Sequence, residues 1–76
     1  MSSGTELEAL KAVKKRGGET TVSAVAKDIK MSLDYTRVIC RSLGMADYLD
    51  VSRSEKIKLT PKGWKALEEK YGGKNG

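Results

Sequence analysis

Residues 21–43 read TVSAVAKDIKMSLDYTRVICRSL, and the spacing of their apolar side chains decides the fold. Thr21 stands where an N-cap belongs, because its hydroxyl can accept an otherwise unpaired N–H from the first turn of a helix opening at Val22. Val22, Val25, Ala26 and Ile29 recur at i, i+3, i+4 and i+7, which is one face of that helix. Ser32 offers a second cap three residues after Ile29, and Thr36, Ile39, Cys40 and Leu43 repeat the spacing. A connection as short as Lys30-Met31 does not let two helices lie side by side. The sequence therefore predicts a steep crossing that leaves the second helix open on its outer side.

Working outward, Thr5 followed by Glu8 has the form of a capping box and predicts a helix to about Arg16. Leu7, Ala9, Leu10 and Val13 share its apolar face. Glu6 and Glu8 fall in its first turn and Lys11, Lys14, Lys15 and Arg16 toward its end, an order that suits the helix dipole. Gly17-Gly18 stops it. The basic end has two readings, a solvated terminus or a phosphate contact. Glu19 to Thr21 carries two β-branched threonines and can pair as a short strand with a later hairpin.

That hairpin is legible in two alternating runs, Leu49-Asp50-Val51-Ser52 and Lys56-Ile57-Lys58-Leu59. Apolar side chains share a face if Val51 opposes Ile57 and Leu49 opposes Leu59, which sets Asp50 across from Lys58. The loop left over is Arg53-Ser54-Glu55; because it lacks glycine, a wider loop shifted by two residues is the competing reading. Thr60 caps a last helix with Pro61 at its first position, where a missing N–H does no harm. Trp64, Leu67 and Tyr71 form a stripe expected to close the core against the first helix, and Met31 is expected to plug the core beneath the turn.

Two of these segments carry a family resemblance. Val25-Ala26-Lys27-Asp28-Ile29-Lys30-Met31-Ser32 resembles the LAxxLGLS register of winged helix-turn-helix regulators. Lys58-Leu59-Thr60-Pro61-Lys62-Gly63-Trp64-Lys65-Ala66-Leu67 is similar to the LTxxGxxxL signature after the wing in MarR-like and PadR-like proteins. The resemblance covers most of the chain, roughly Leu7 to Tyr71. The resemblance implies an α+β, mostly α fold: a three-helix core, a two-stranded β-wing in a short, minimal version, and a C-terminal helix. It places the domain at residues 5–71, between a disordered N-terminus at 1–4 and a flexible tail at 72–76. The family usually has glycine where this chain has Lys30, so either a lysine takes a left-handed backbone, at about 1 kcal/mol, or the helix runs on. Gly44 can end the second helix of the pair, or the helix can continue to about Ala46 with Asp47 in the terminating position. The family spacing of Thr36, Cys40, Leu43, Tyr48 and Leu49 favours the longer helix.

Composition narrows the function. The chain has 76 residues, a net charge of +5 and no histidine, with a pI near 9.5. So basic a surface favours a polyanionic partner. A lone cysteine forbids an internal disulfide, and Cys40 on the apolar face reads as packing. No apolar run approaches the ~20 residues that cross a bilayer, so no membrane partner is expected and a cytoplasmic location is. With no histidine and no nucleophile–base pattern, neither an enzyme, nor a metal, nor a cofactor is expected. Asp50, Ser52 and Ser54 begin like a calcium loop, but Glu55 and Pro61 stand where its glycine and bidentate acid belong.

The candidate site is the outward face of the helix after Ser32. Ser32, Leu33, Asp34, Tyr35, Arg37, Val38 and Arg41 are expected to meet double-stranded DNA in the major groove, together with Lys30. Arg53 and Lys56 of the wing are expected to follow the backbone or enter the minor groove. Arg37 and Arg41, four apart, share a face and can grip guanine or phosphate. Asp34 would repel phosphates unless it accepts from a cytosine amino group or pairs with Arg37 or Lys30. Lys62 and Lys65 are expected in solvent. Transcription regulation is the function this implies; a protein-interaction module without DNA binding is the alternative, and an ordinary solvated face is the bland one. Both a monomer and a homodimer through the first and last helices fit, and no small-molecule effector site is legible.

Overall fold

The computed structural model describes residues 4–68; residues 1–3 and 69–76, with Tyr71 and the expected tail, lie outside the described residues. The elements run α1 (Gly4–Lys15), β1 (Glu19–Thr21), α2 (Val22–Ile29), α3 (Leu33–Met45), β2 (Leu49–Val51), β3 (Lys56–Leu59) and α4 (Pro61–Leu67). This is the expected winged helix-turn-helix architecture, mostly helical. Helix α1 starts at Gly4, so Thr5 lies inside it rather than capping it. The other three caps stand as read from the sequence. Thr21 Oγ1 accepts from Ala24 N at 3.1 Å, Ser32 Oγ from Tyr35 N at 3.1 Å, and Thr60 Oγ1 from Gly63 N at 3.0 Å.

The helices end alike. Gly18 N donates to Val13 O and Gly17 N to Lys14 O, both at 2.9 Å; Met31 N reaches Ala26 O at 3.1 Å and Lys30 N reaches Lys27 O at 3.3 Å. Tyr48 N and Asp47 N repeat the pattern at Leu43 O (2.9 Å) and Gly44 O (3.0 Å). Each closure needs one residue in the left-handed region. These are Gly17, Lys30 (φ 60°) and Asp47 (φ 71°). Of the two readings for Lys30, the left-handed one holds, and α3 takes the longer course through Gly44. Lys30→Gly and Asp47→Gly should each raise stability by about 1 kcal/mol, more for lysine than for aspartate, whose short side chain tolerates this conformation better. Urea denaturation of the two variants checks this; a drop in midpoint for both would contradict it.

The sheet is antiparallel in the order β1-β3-β2. Between β2 and β3 the pairs are Leu49–Leu59, Asp50–Lys58 and Val51–Ile57, the register that alternation requires. The hairpin β2–β3 is the expected wing, and β1 joins it as the short strand read at Glu19–Thr21, pairing at three positions: Glu19–Lys58, Thr20–Ile57 and Thr21–Lys56. The loop is the narrow one. Ser52 N donates to Lys56 O at 2.9 Å and Glu55 N to Ser52 O at 3.0 Å, with Glu55 at φ 65°. That is the three-residue hairpin whose last position ordinarily wants glycine.

The core gathers Leu10 and Val13 of α1, Val22 and Val25 of α2, Ile39, Cys40 and Leu43 of α3, and Leu49, Ile57, Leu59 and Leu67. Each large aliphatic side chain there contributes about 1.5–3 kcal/mol of burial. Thr36, fully buried, stays satisfied by donating to Ser32 O at 2.8 Å. Two expectations fail. Met31 is 42% exposed and lies outside the core. Trp64 is 37% exposed and covers the Gly18 backbone, so closely that a Cβ on Gly18 would lie 2.6 Å from its Cζ2. Leu67, buried as expected, closes the core in its place.

Candidate nucleic-acid interface

Helix α3 is held by its inner face and leaves its outer one open. Val38 is 63% exposed at its middle and Leu33 and Tyr35 are 42% and 46% exposed at its start. Ser32, Asp34, Arg41 and Lys30 are exposed as well. Of the wing residues, Arg53 sits at the loop and Lys56 at the start of β3, both exposed. Between the wing and the second half of α3 runs an open cleft lined by Arg41, Met45, Val51 and Arg53 among others. Arg41 and Arg53 both line it, together with Arg37 and the acids Asp47, Asp50 and Glu55. Among the described residues neither Arg41 nor Arg53 has a hydrogen-bond or ion-pair partner.

Arg37 departs from the expectation. Its guanidinium is half-buried and turned to the wing loop, with Nε and Nη2 both donating to the Glu55 carboxylate and Nη1 to Asp34 Oδ1 at 2.8 Å. The pairing of Asp34 with Arg37 is the one its charge requires. Glu55 was not legible as a partner; the missing glycine of the loop was the available signal. Hydrogen bonding from Arg37 holds the Glu55 carboxyl below its usual range, with Arg41 adding to the effect. A carboxylate so depressed stays charged at neutral pH, and its contribution is lost only as the pH falls through that lowered value.

The basic end of α1 is not simply solvated either. Arg16 Nε and Nη2 donate to Asp28 of α2 at 2.7 and 2.9 Å, so this cation is spoken for by the helix pair. Lys62 is not free in solvent: its Nζ donates to Ala46 O at 2.9 Å, at the end of α3, and lies 4.7 Å from the Tyr48 ring centre. Cys40 is buried, and burial pushes its thiol up to about 11, which keeps it neutral and unreactive. Among the described residues no cluster of acids, cysteine and histidine could hold a metal, and no helix is long and apolar enough to cross a membrane.

No protein-family model matches the chain, and no curated protein matches it in sequence. Solved structures do match it in shape. A putative transcriptional regulator from Pseudomonas aeruginosa PA01 superposes with a TM-score of 0.82 at 20% identity, over 90% of this chain and 49% of the other. BpsR of Bordetella bronchiseptica, a protein whose DNA binding is regulated by 6-hydroxynicotinic acid, gives 0.81 at 22% identity, over 92% and 53%. An IclR homolog from Microbacterium hydrocarbonoxydans, complexed with 4-hydroxybenzoate, gives 0.61 at 12% identity, over 80% and 27%. The chain thus spans about half the length of the first two neighbours. At these identities the likeness is one of fold alone, the winged helix-turn-helix described above.

Proposed function

We propose that the chain binds double-stranded DNA and acts in transcription regulation, with α3 in the major groove and the wing against the backbone or minor groove. The observation that carries this is the exposed Arg41 on α3, which lines one open cleft with Arg53 of the wing and, among the described residues, has no hydrogen-bond or ion-pair partner. An arginine on a protruding helix can grip guanine or a phosphate, and exposed Val38 and Leu33 suit the methyl group of thymine. Tyr35 and Ser32 at the start of α3, with Lys30 before them, suit phosphate. Lys56 and Arg53 suit the backbone flanking the groove. The fold neighbours are transcriptional regulators, which supports the reading. The finer MarR-like or PadR-like assignment rests on the two motifs around Ala26 and Gly63.

Titrating a labelled duplex of arbitrary sequence with the full chain at two salt concentrations tests the reading. Three neutralised phosphates, one each for Lys30, Arg53 and Lys56, give a log–log slope of about −2.7, and a fourth at Arg41 makes it about −3.6. A flat response, or no binding at low salt, defeats it. That second outcome favours the alternative, a protein-interaction module, for which the exposed Leu33, Val38 and Met45 on α3 speak. The effector dependence of BpsR is not carried over to a chain half its length. Among the described residues, a homodimer through α1 and α4 has the exposed edge of Trp64 in its favour.

A further inference from the structure

Glu55 occupies a backbone position that glycine would fill at less cost, and its side chain is the one the Arg37 guanidinium grips. Its φ of 65° is left-handed, its carbonyl accepts from Val22 N at 3.0 Å, and its carboxylate takes two of the Arg37 donors. The wing loop is thereby tied at one residue to the start of α2 and to the middle of α3. A third donor of Arg37 goes to Asp34, whose side chain is 95% exposed. One guanidinium between two carboxylates leaves the cluster net negative. Three of the five N–H donors of Arg37 are committed in this way, so turning the whole fork to a base edge would break charge-assisted bonds and leave Glu55 facing phosphates.

We propose that Arg37 is a positioning residue and not a base reader: clasped by Glu55 and Asp34, it sets the wing against α3 so that Arg41 and the wing cations meet one duplex together. The inference rests on the DNA-binding reading above. Glycine at position 55 would relax the loop backbone but could not reach Arg37, so loop stability and clasp separate in one substitution.

The test compares Glu55→Gly, Glu55→Gln, Arg37→Ala and the Arg37→Ala/Glu55→Gly double variant of the full chain. Glu55→Gly should melt no lower than the wild type. Yet it should lose about fivefold in duplex affinity, the upper end for an exposed ion pair, and Arg37→Ala should lose the same. The double variant should be no worse than either single one, since both remove one interaction. Selection from a random duplex pool should return the same preferred sequence for all of them. Tighter binding by Glu55→Gln, or a changed base preference in Arg37→Ala, would overturn the proposal and make Arg37 a reader that Glu55 restrains. If the wild type binds no duplex at low salt, the DNA-binding reading fails separately. Amide exchange across residues 52–56 then decides the clasp, and equal protection in wild type and Arg37→Ala overturns it.

Discussion

Gly63→Ala is expected to remove a large share of the stability of the domain. Gly63 is buried at the start of α4, and a Cβ built there would sit 2.3 Å from Tyr48 O, 3.3 Å from Tyr48 C and 3.0 Å from Leu59 Cδ2. The leucine tip can swing away; the carbonyl cannot. Tyr48 O accepts from Thr60 N at 3.2 Å, while Thr60 Oγ1 donates to Asp47 O at 2.6 Å and accepts from Gly63 N at 3.0 Å. The α3–β2 connection and the cap of α4 are one hydrogen-bonded unit, so α4 must back away as a body. That would draw the buried Leu67 off the core. Overpacking typically costs about 1–3 kcal/mol, and a contact against an immobile carbonyl belongs at or above the upper end, about 3 kcal/mol. A domain this small has only roughly 4–11 kcal/mol in all, and each kcal/mol is worth about 4–8 °C. A fall in Tm of about 12 °C or more by circular dichroism is the expected result. Gly4→Ala is the control, since a Cβ at Gly4 meets nothing within 4 Å, and it should melt like the wild type. A Gly63→Ala protein within a few degrees of the wild type would show that the connection yields.

This contact also explains what was legible and what was not. The glycine of the Leu59-Thr60-Pro61-Lys62-Gly63 run was visible as part of a motif, but its cause, a carbonyl from another element, was not. Helices α2 and α3 and the hairpin register could be read because period and capping are local properties of the chain. Gly17 declared its left-handed turn outright. Lys30 and Asp47 did so only through their place in a family pattern, because nothing in a lysine or an aspartate announces that paired N–H bonds will hold it there. The contacts that escaped are those joining distant segments: Arg37 with Glu55, Arg16 with Asp28, Lys62 with Ala46 O. Periodicity tells which way a side chain leaves its helix, not which loop arrives to meet it. The two arginines on the outer face of α3 therefore looked equivalent in sequence, and the wing makes them unlike.

That difference sets the second large expectation. Arg41→Ala should weaken binding to a selected duplex by about 5- to 150-fold, the range for losing one bidentate contact to a base, whereas Arg37→Ala stays near the lower end. Arg41 is exposed, one turn beyond Arg37, and has no hydrogen-bond or ion-pair partner among the described residues to give up. Its fork is available in full. Whether base or phosphate receives it is decided by the same variant. Loss of a base contact flattens the preference at one position and leaves nonspecific binding nearly intact. Loss of a phosphate contact weakens all duplexes alike and reduces the salt slope by about 0.9. Arg41→Lys sharpens the distinction, because lysine keeps the charge and loses the planar fork. It should restore a phosphate contact and fail to restore a guanine contact. Should Arg41→Ala bind within twofold of the wild type while Arg37→Ala loses far more, the roles assigned to the two arginines would have to be exchanged.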